Sequence, residues 1–130
     1  MRSGLEQLAA ARAGAAEGHV CQGVAEEGGF SIGLLPEGDA QFANPFVTVA
    51  IATGIGEARN ALIARAALCL VTIGNSYGTL AEVALGLQFG KTVLGLMGVA
   101  DVPGVVQCAD VAAALDAVAK SALALPLEAE

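Results

Sequence analysis

Two short glycine-bearing segments hold most of the residues able to do chemistry. Thr53-Gly54-Ile55-Gly56-Glu57-Ala58-Arg59-Asn60 follows an apolar, β-branched run and sets an arginine near the first turn of the helix expected after it. A guanidinium there is a planar cationic fork matched to phosphate or carboxylate. Gly74-Asn75-Ser76-Tyr77-Gly78-Thr79 joins a second apolar run to an Ala/Leu-rich segment that contains Glu82. It offers two glycines, an asparagine that tolerates positive φ, and the Ser76 and Thr79 hydroxyls, a composition suited to an anion at a helix N-terminus. Neither segment is GxGxxG or GxxxxGK[ST], so neither predicts a dinucleotide site or a P-loop. A tight turn that binds nothing explains one such loop equally well. Two of them, with Arg59 and Glu82 in one cleft if their strands are neighbours, argue for a site. The candidate site residues are Arg59 and Glu82, with Gly54, Gly56, Asn60, Gly74, Asn75, Ser76, Gly78 and Thr79 around an anion such as a phosphate.

The elements that position these loops follow from the hydrophobic pattern. Leu5 to Glu27 reads as one helix, weakened by Gly14, Gly18 and Gly23. Phe30–Leu35, Phe46–Ala52, Leu68–Ile73 and Thr92–Leu96 read as strands, with a short extended piece at Val105–Cys108. Glu57–Ala67 is predicted helical, with Ala58, Leu62, Ile63 and Ala66 facing a sheet and Arg59 and Arg65 on its polar face. Thr79–Phe89 follows, with Thr79 and Glu82 in capping-box spacing and Gly90 as C-terminal cap. Asp110 caps a last helix to about Leu123. The alternation predicts a single α/β domain over residues 1–130, a three-layer Rossmann-like fold with an open, mostly parallel sheet and helices on both faces. Leu68–Ile73, free of charge, is expected near the sheet centre. Both glycine loops are expected at the carboxyl edge, where open parallel sheets bind ligands.

Composition narrows the function classes. Hydrophobic residues make up 55% of the 130 and charged residues only 15%, against about 25% charged in ordinary domains, which excludes disorder. Six Lys+Arg against 13 Asp+Glu give a net charge of −7, so a nucleic-acid polymer would be repelled. The longest uncharged stretch, Ala40 to Gly56, contains Gln41, Asn44 and Pro45 and is too short and polar for a membrane span. No apolar leader follows Met1, so a cytoplasmic location is expected. Cys21, Cys69 and Cys108 are widely spaced and His19 is the only histidine. Reduced thiols, a surface histidine and no metal site are expected. So few charges, together with the wide apolar band Leu80, Val83, Ala84, Leu85, Leu87 and Phe89, predict a homodimer or higher homo-oligomer through the Thr79–Phe89 helix.

The combination of Thr53-Gly54-Ile55-Gly56-Glu57-Ala58-Arg59-Asn60 with Ile73-Gly74-Asn75-Ser76-Tyr77-Gly78-Thr79-Leu80-Ala81-Glu82 resembles the LOG-like Rossmann superfamily, often labelled lysine decarboxylase-like. Within it the chain is most similar to the branch of molybdenum cofactor carrier-like proteins, whose pattern is roughly TGxGxARN, a strand, then GGGxGTxxE. The resemblance runs from about Gly23 to Ala119 and includes Gly33-Leu34-Leu35-Pro36 and Ala43-Asn44-Pro45. It implies binding of a phosphorylated nucleotide-like or pterin ligand, such as molybdenum cofactor or a nucleotide monophosphate, with no further cofactor required. It also implies dimers. In the similar cytokinin-activating enzymes an arginine and the last glutamate of the glycine motif serve N-glycosidic cleavage, and Arg59 and Glu82 match them. The alternative is therefore a phosphoribohydrolase releasing base and ribose 5-phosphate from nucleoside 5′-monophosphates. A third possibility is a non-binding oligomeric remnant. Asn75 and Ser76 replace two family glycines, and Asn60 stands where the hydrolases have lysine, as in the carrier branch, which favours binding. No lysine is placed to form a Schiff base, so a lysine decarboxylase is not expected. The family's opening strand-helix-strand is not visible before Leu5, so the chain is expected to be N-terminally truncated or divergent.

Overall fold

The computed structural model describes residues 8–11, 15–99 and 101–124. In chain order these form β1 (Leu8–Ala11), α1 (Ala15–Glu26), β2 (Phe30–Leu35), β3 (Val49–Ala52), α2 (Arg59–Ala66), β4 (Cys69–Ile73), α3 (Tyr77–Gln88), β5 (Thr92–Leu96), β6 (Val106–Gln107) and α4 (Val111–Ala122). Short 3-10 turns occupy Ala40–Phe42 and Gly56–Ala58. The strands make two three-stranded sheets, ordered β1-β2-β3 and β4-β5-β6, and every ladder is parallel. Parallel strands need long crossovers, supplied by α1 between β1 and β2 and by α3 between β4 and β5. The chain divides into two compact units, residues 1–59 and 60–130.

In the first unit, the segment that reads as one helix from Leu5 contains a strand. Leu8–Ala11 pairs with Phe30–Gly33, and helix formation starts only at Ala15. Three alanines favour helix intrinsically, but a ladder with β2 overrides that preference. Helix α1 tolerates Gly18 and Gly23 and ends in a Schellman motif. Gly28 takes φ +73, Gly28 N–H donates to Ala25 O at 3.0 Å and Gly29 N–H to Val24 O at 2.8 Å. Strand β2 has the expected bounds, with Ser31 and Leu35 among its buried positions. Strand β3 is three residues shorter than expected. Asn44 explains this, because its Oδ1 accepts from Phe46 N–H at 3.0 Å and its carbonyl from Val47 N–H at 3.3 Å, turning the chain where a strand would begin.

In the second unit the middle strand is β5, not the Leu68–Ile73 run expected at the centre. Val93, Leu94 and Leu96 are buried, whereas Leu68 is 60% and Val71 42% exposed. An uncharged run shows what a strand tolerates, not where it lies in the order. The Thr72 hydroxyl, buried in β4, donates to Leu94 O at 3.0 Å. Helix α3 comes close to this sheet at Gly86, where a Cβ would stand 2.8 Å from Val93 Cγ2 and nearer still to Leu70 Cδ1. Helix α2 is rotated from its expected face. Ile63 and Ala64 are buried with Arg59 and Asn60, while Leu62 is 47% exposed and Ala58 and Ala66 are exposed. The buried stripe thus runs through the two polar residues that open the helix. Asp110 caps α4 as expected, its Oδ1 accepting from Ala113 N–H at 2.8 Å, and the helix closes at Leu123.

Candidate functional site

The first glycine loop is locked to the end of β2 by the main chain. Four successive carbonyls of residues 34–37 accept from residues 53–59. Arg59 Nη1 donates to Leu34 O at 2.6 Å, Thr53 N–H and Oγ1 to Leu35 O at 3.2 and 2.5 Å, Gly56 N–H to Pro36 O at 3.0 Å, and Gly54 N–H to Glu37 O at 3.0 Å. Gly54 and Gly56 take φ +65 and +62, a region L side chains enter at a cost. A Cβ on Gly54 would also lie 3.6 Å from Gly38 Cα. Arg59 is 1% exposed, so it does not belong to the polar face of α2 as expected. Its Nη1 is bonded to the main chain while its buried Nε has no hydrogen-bond partner.

Sequence reasoning passed over Glu37. It is half-buried in the turn after β2, and its Oε2 is covered without a hydrogen-bond partner. The only signal was an acidic residue between Pro36 and Gly38 in a segment read as a turn. A carboxylate at the carboxyl end of a parallel strand is worth noting for its position alone.

The second glycine loop opens α3. The N-cap is Ser76, whose Oγ accepts from Thr79 N–H at 3.1 Å and lies 3.0 Å from Thr79 Oγ1. The helix therefore starts two residues before Thr79, and Thr79 is its buried third residue. Glu82 falls in the second turn, outside the expected capping box. Tyr77 and Gly78 N–H groups, in the first turn, have no intrahelical acceptor and carry the positive end of the helix dipole. Gly74, at φ +82, holds the turn by donating to Leu96 O at 3.2 Å, and the space where its Cβ would lie is open. Asn75 is exposed.

The predicted residues thus gather in two places. Gly54, Gly56 and Arg59 lie together in the first unit. Gly74, Asn75, Ser76, Gly78 and Thr79 form one loop in the second, which also holds Glu82 and the buried Asn60. Among the described strands, β3 pairs with β2 in the first unit and β4 with β5 in the second. Among the described residues no cluster of three or more His, Cys, Asp or Glu is placed to hold a metal, and His19 is exposed. The three cysteines are free thiols, with Cys21 buried. Burial pushes the Cys69 thiol above its ordinary pKa, partly offset by a side-chain hydrogen bond with Ser121. No helix is long and apolar enough to cross a membrane among the described residues.

The sequence profile of the SLOG cluster4 family matches residues 3–122. The chain belongs to the SLOG cluster4 family. An uncharacterized protein of Archaeoglobus fulgidus is 36% identical over 75 residues, 58% of this chain and 49% of that protein. The chain thus spans about half the length of the curated relative it matches. The fold of this SLOG cluster4 chain is similar to that of the molybdenum cofactor binding protein from the phototrophic bacterium Rippkaea orientalis. The TM-score is 0.77 at 26% identity, over 90% of this chain and 83% of that one. It is also similar to the molybdenum cofactor carrier protein of Chlamydomonas reinhardtii, with TM-score 0.76 and 33% identity over 89% and 77% of the two chains. Parallel sheets with helices and these neighbours establish a Rossmann-like α/β fold of the SLOG/LOG-like superfamily.

Proposed function

We propose that this chain binds a phosphorylated, pterin- or nucleotide-like ligand and carries it; of the two proteins it resembles, one is named for binding molybdenum cofactor and the other for carrying it. The observation that carries this is the opening of α3. The turn at Gly74 and the Tyr77 and Gly78 N–H groups, which the helix itself cannot pair, suit an anion at this helix end. The Ser76 and Thr79 hydroxyls stand beside them. We assign the phosphate to Gly74, Asn75, Ser76, Gly78 and Thr79 of the second unit. This takes β1–α1–β2 as a divergent form of the family's opening unit, the whole chain as one domain, and a cytoplasmic homodimer as the working form. Arg59, buried and bonded to a main-chain carbonyl, organises its loop and is poorly placed to steer a substrate. That supports binding over N-glycosidic cleavage by Arg59 and Glu82.

Calorimetry with molybdopterin, adenosine 5′-monophosphate and ribose 5-phosphate tests the proposal. Binding of at least one, competed by inorganic phosphate, is expected; a flat response to all three overturns it. Ser76→Asp separates ligand from fold. Aspartate caps a helix as well as serine does, so stability should hold, while its charge at the phosphate position should abolish binding.

A further inference from the structure

We propose that the outward face of α4 is a two-fold contact surface, and that its occupant is α4 of a second copy of this chain, laid antiparallel. The inference rests on the homodimer named above and not on the ligand, and it names the surface through which that homodimer forms.

The sequence of α4 divides the helix lengthwise. Ala114 and Ala117 are buried, and the helix packs on β4 and β5. On the other side Val111, Leu115, Ala119 and Leu123 recur every fourth residue and so form one ridge. Val111, Leu115 and Leu123 are 60–65% exposed, and Ala119 is exposed with them. An apolar ridge of this length is seldom left in water. Charge then selects the occupant. The charged residues of α4 are Asp116 and Lys120, one of each sign, and their side chains meet at 3.0 Å. The whole chain carries −7, so two copies repel where their acidic groups meet, whereas this face brings no net charge to a contact. The face is also complementary to itself. In an antiparallel pair centred on Val118, midway between Asp116 and Lys120, Asp116 of each copy stands level with Lys120 of the other, on the same side of the contact. The same register sets Leu115 of one copy between Ala119 and Ala122 of the other, a large side chain in the groove that two small ones leave.

Sedimentation of the full chain at micromolar concentration tests this, with circular dichroism as the check on folding. Leu115→Lys puts a charge on the ridge at an exposed position and should raise the dissociation constant of the dimer at least about tenfold. Asp116→Lys sets like charges level across the contact and should weaken the dimer too, while adding Lys120→Asp to it reverses both partners and should restore the affinity. Tyr77→Lys, on the exposed start of α3, should leave the dimer in place. A dimer that withstands Leu115→Lys, or that Tyr77→Lys breaks instead, overturns the α4 face but keeps the homodimer. Failure of the double reversal to restore the affinity overturns the antiparallel register. A chain that sediments as a monomer overturns the face and the homodimer together, and leaves ligand binding by calorimetry as a separate question.

Discussion

Arg59 shows how far a residue type can be trusted on its own. Its type pointed to phosphate or carboxylate, yet its Nη1 is bonded to a main-chain carbonyl. Its burial was not legible, since nothing local distinguishes a helix position that faces inward from one that faces water. With Nη1 on Leu34 O at 2.6 Å, Arg59→Met should leave that carbonyl unpaired and cost about 1–3 kcal/mol in urea denaturation. A loss below about 0.5 kcal/mol would mean that water replaces the bond. Cys69 gives a second prediction. Its raised pKa keeps the thiol protonated in the fold, so its alkylation at pH 8, followed by mass spectrometry, should be slower than that of a small free thiol. Ser121→Ala removes the one influence that lowers the pKa and should slow it further. The folded-state pKa lies above the unfolded one, so this contribution to stability is complete below the ordinary thiol pKa and is lost as pH rises through the folded value.

At the scale of elements, the ends at Gly90 and Asp110 were legible, whereas α3 is capped by Ser76 and not by the expected Thr79–Glu82 box. Ser76, Asp110 and Gly90 work through contacts within a few residues. Ser76→Ala should cost about 1 kcal/mol of stability, measured by thermal or urea melting. Gly90, at φ +72, sits in a Schellman motif in which its N–H reaches Leu87 O and Lys91 N–H reaches Gly86 O. Gly90→Ala should therefore cost about 1–2 kcal/mol. Gly86 depends on tertiary structure alone. A methyl there meets Leu70 and Val93, and Gly86→Ala should cost about 1–3 kcal/mol through overpacking despite alanine's better helix propensity.

For the whole molecule, the apolar side chains left in water are spread over several elements. Leu80, Leu85 and Leu87 of α3 are half-buried and Val83 is buried. Val111 and Leu115, one turn apart on α4, are 60% and 65% exposed. On α3 the exposed large side chain is Tyr77, at 93%, so α4 and the start of α3 both leave apolar surface in water. Sedimentation at micromolar concentration should give a dimer, and a stable species of 12.8 kDa would overturn that expectation.

The sequence alone determined the α/β class, the bounds of β2 and β5, the cap of α4 and the two glycine loops. Each rests on neighbours a few residues apart: β-branched runs, a side-chain cap, a glycine at positive φ. Only tertiary structure decided that Leu8–Ala11 is a strand, that β5 is the middle strand of its sheet, and that Arg59 and Asn60 face inward. It also decided that Glu37 is covered at the end of β2. Those features depend on which distant segment pairs or packs against them. Parallel pairing in particular joins residues more than twenty positions apart, such as Leu8 with Phe30, and leaves no local periodicity to announce the partner.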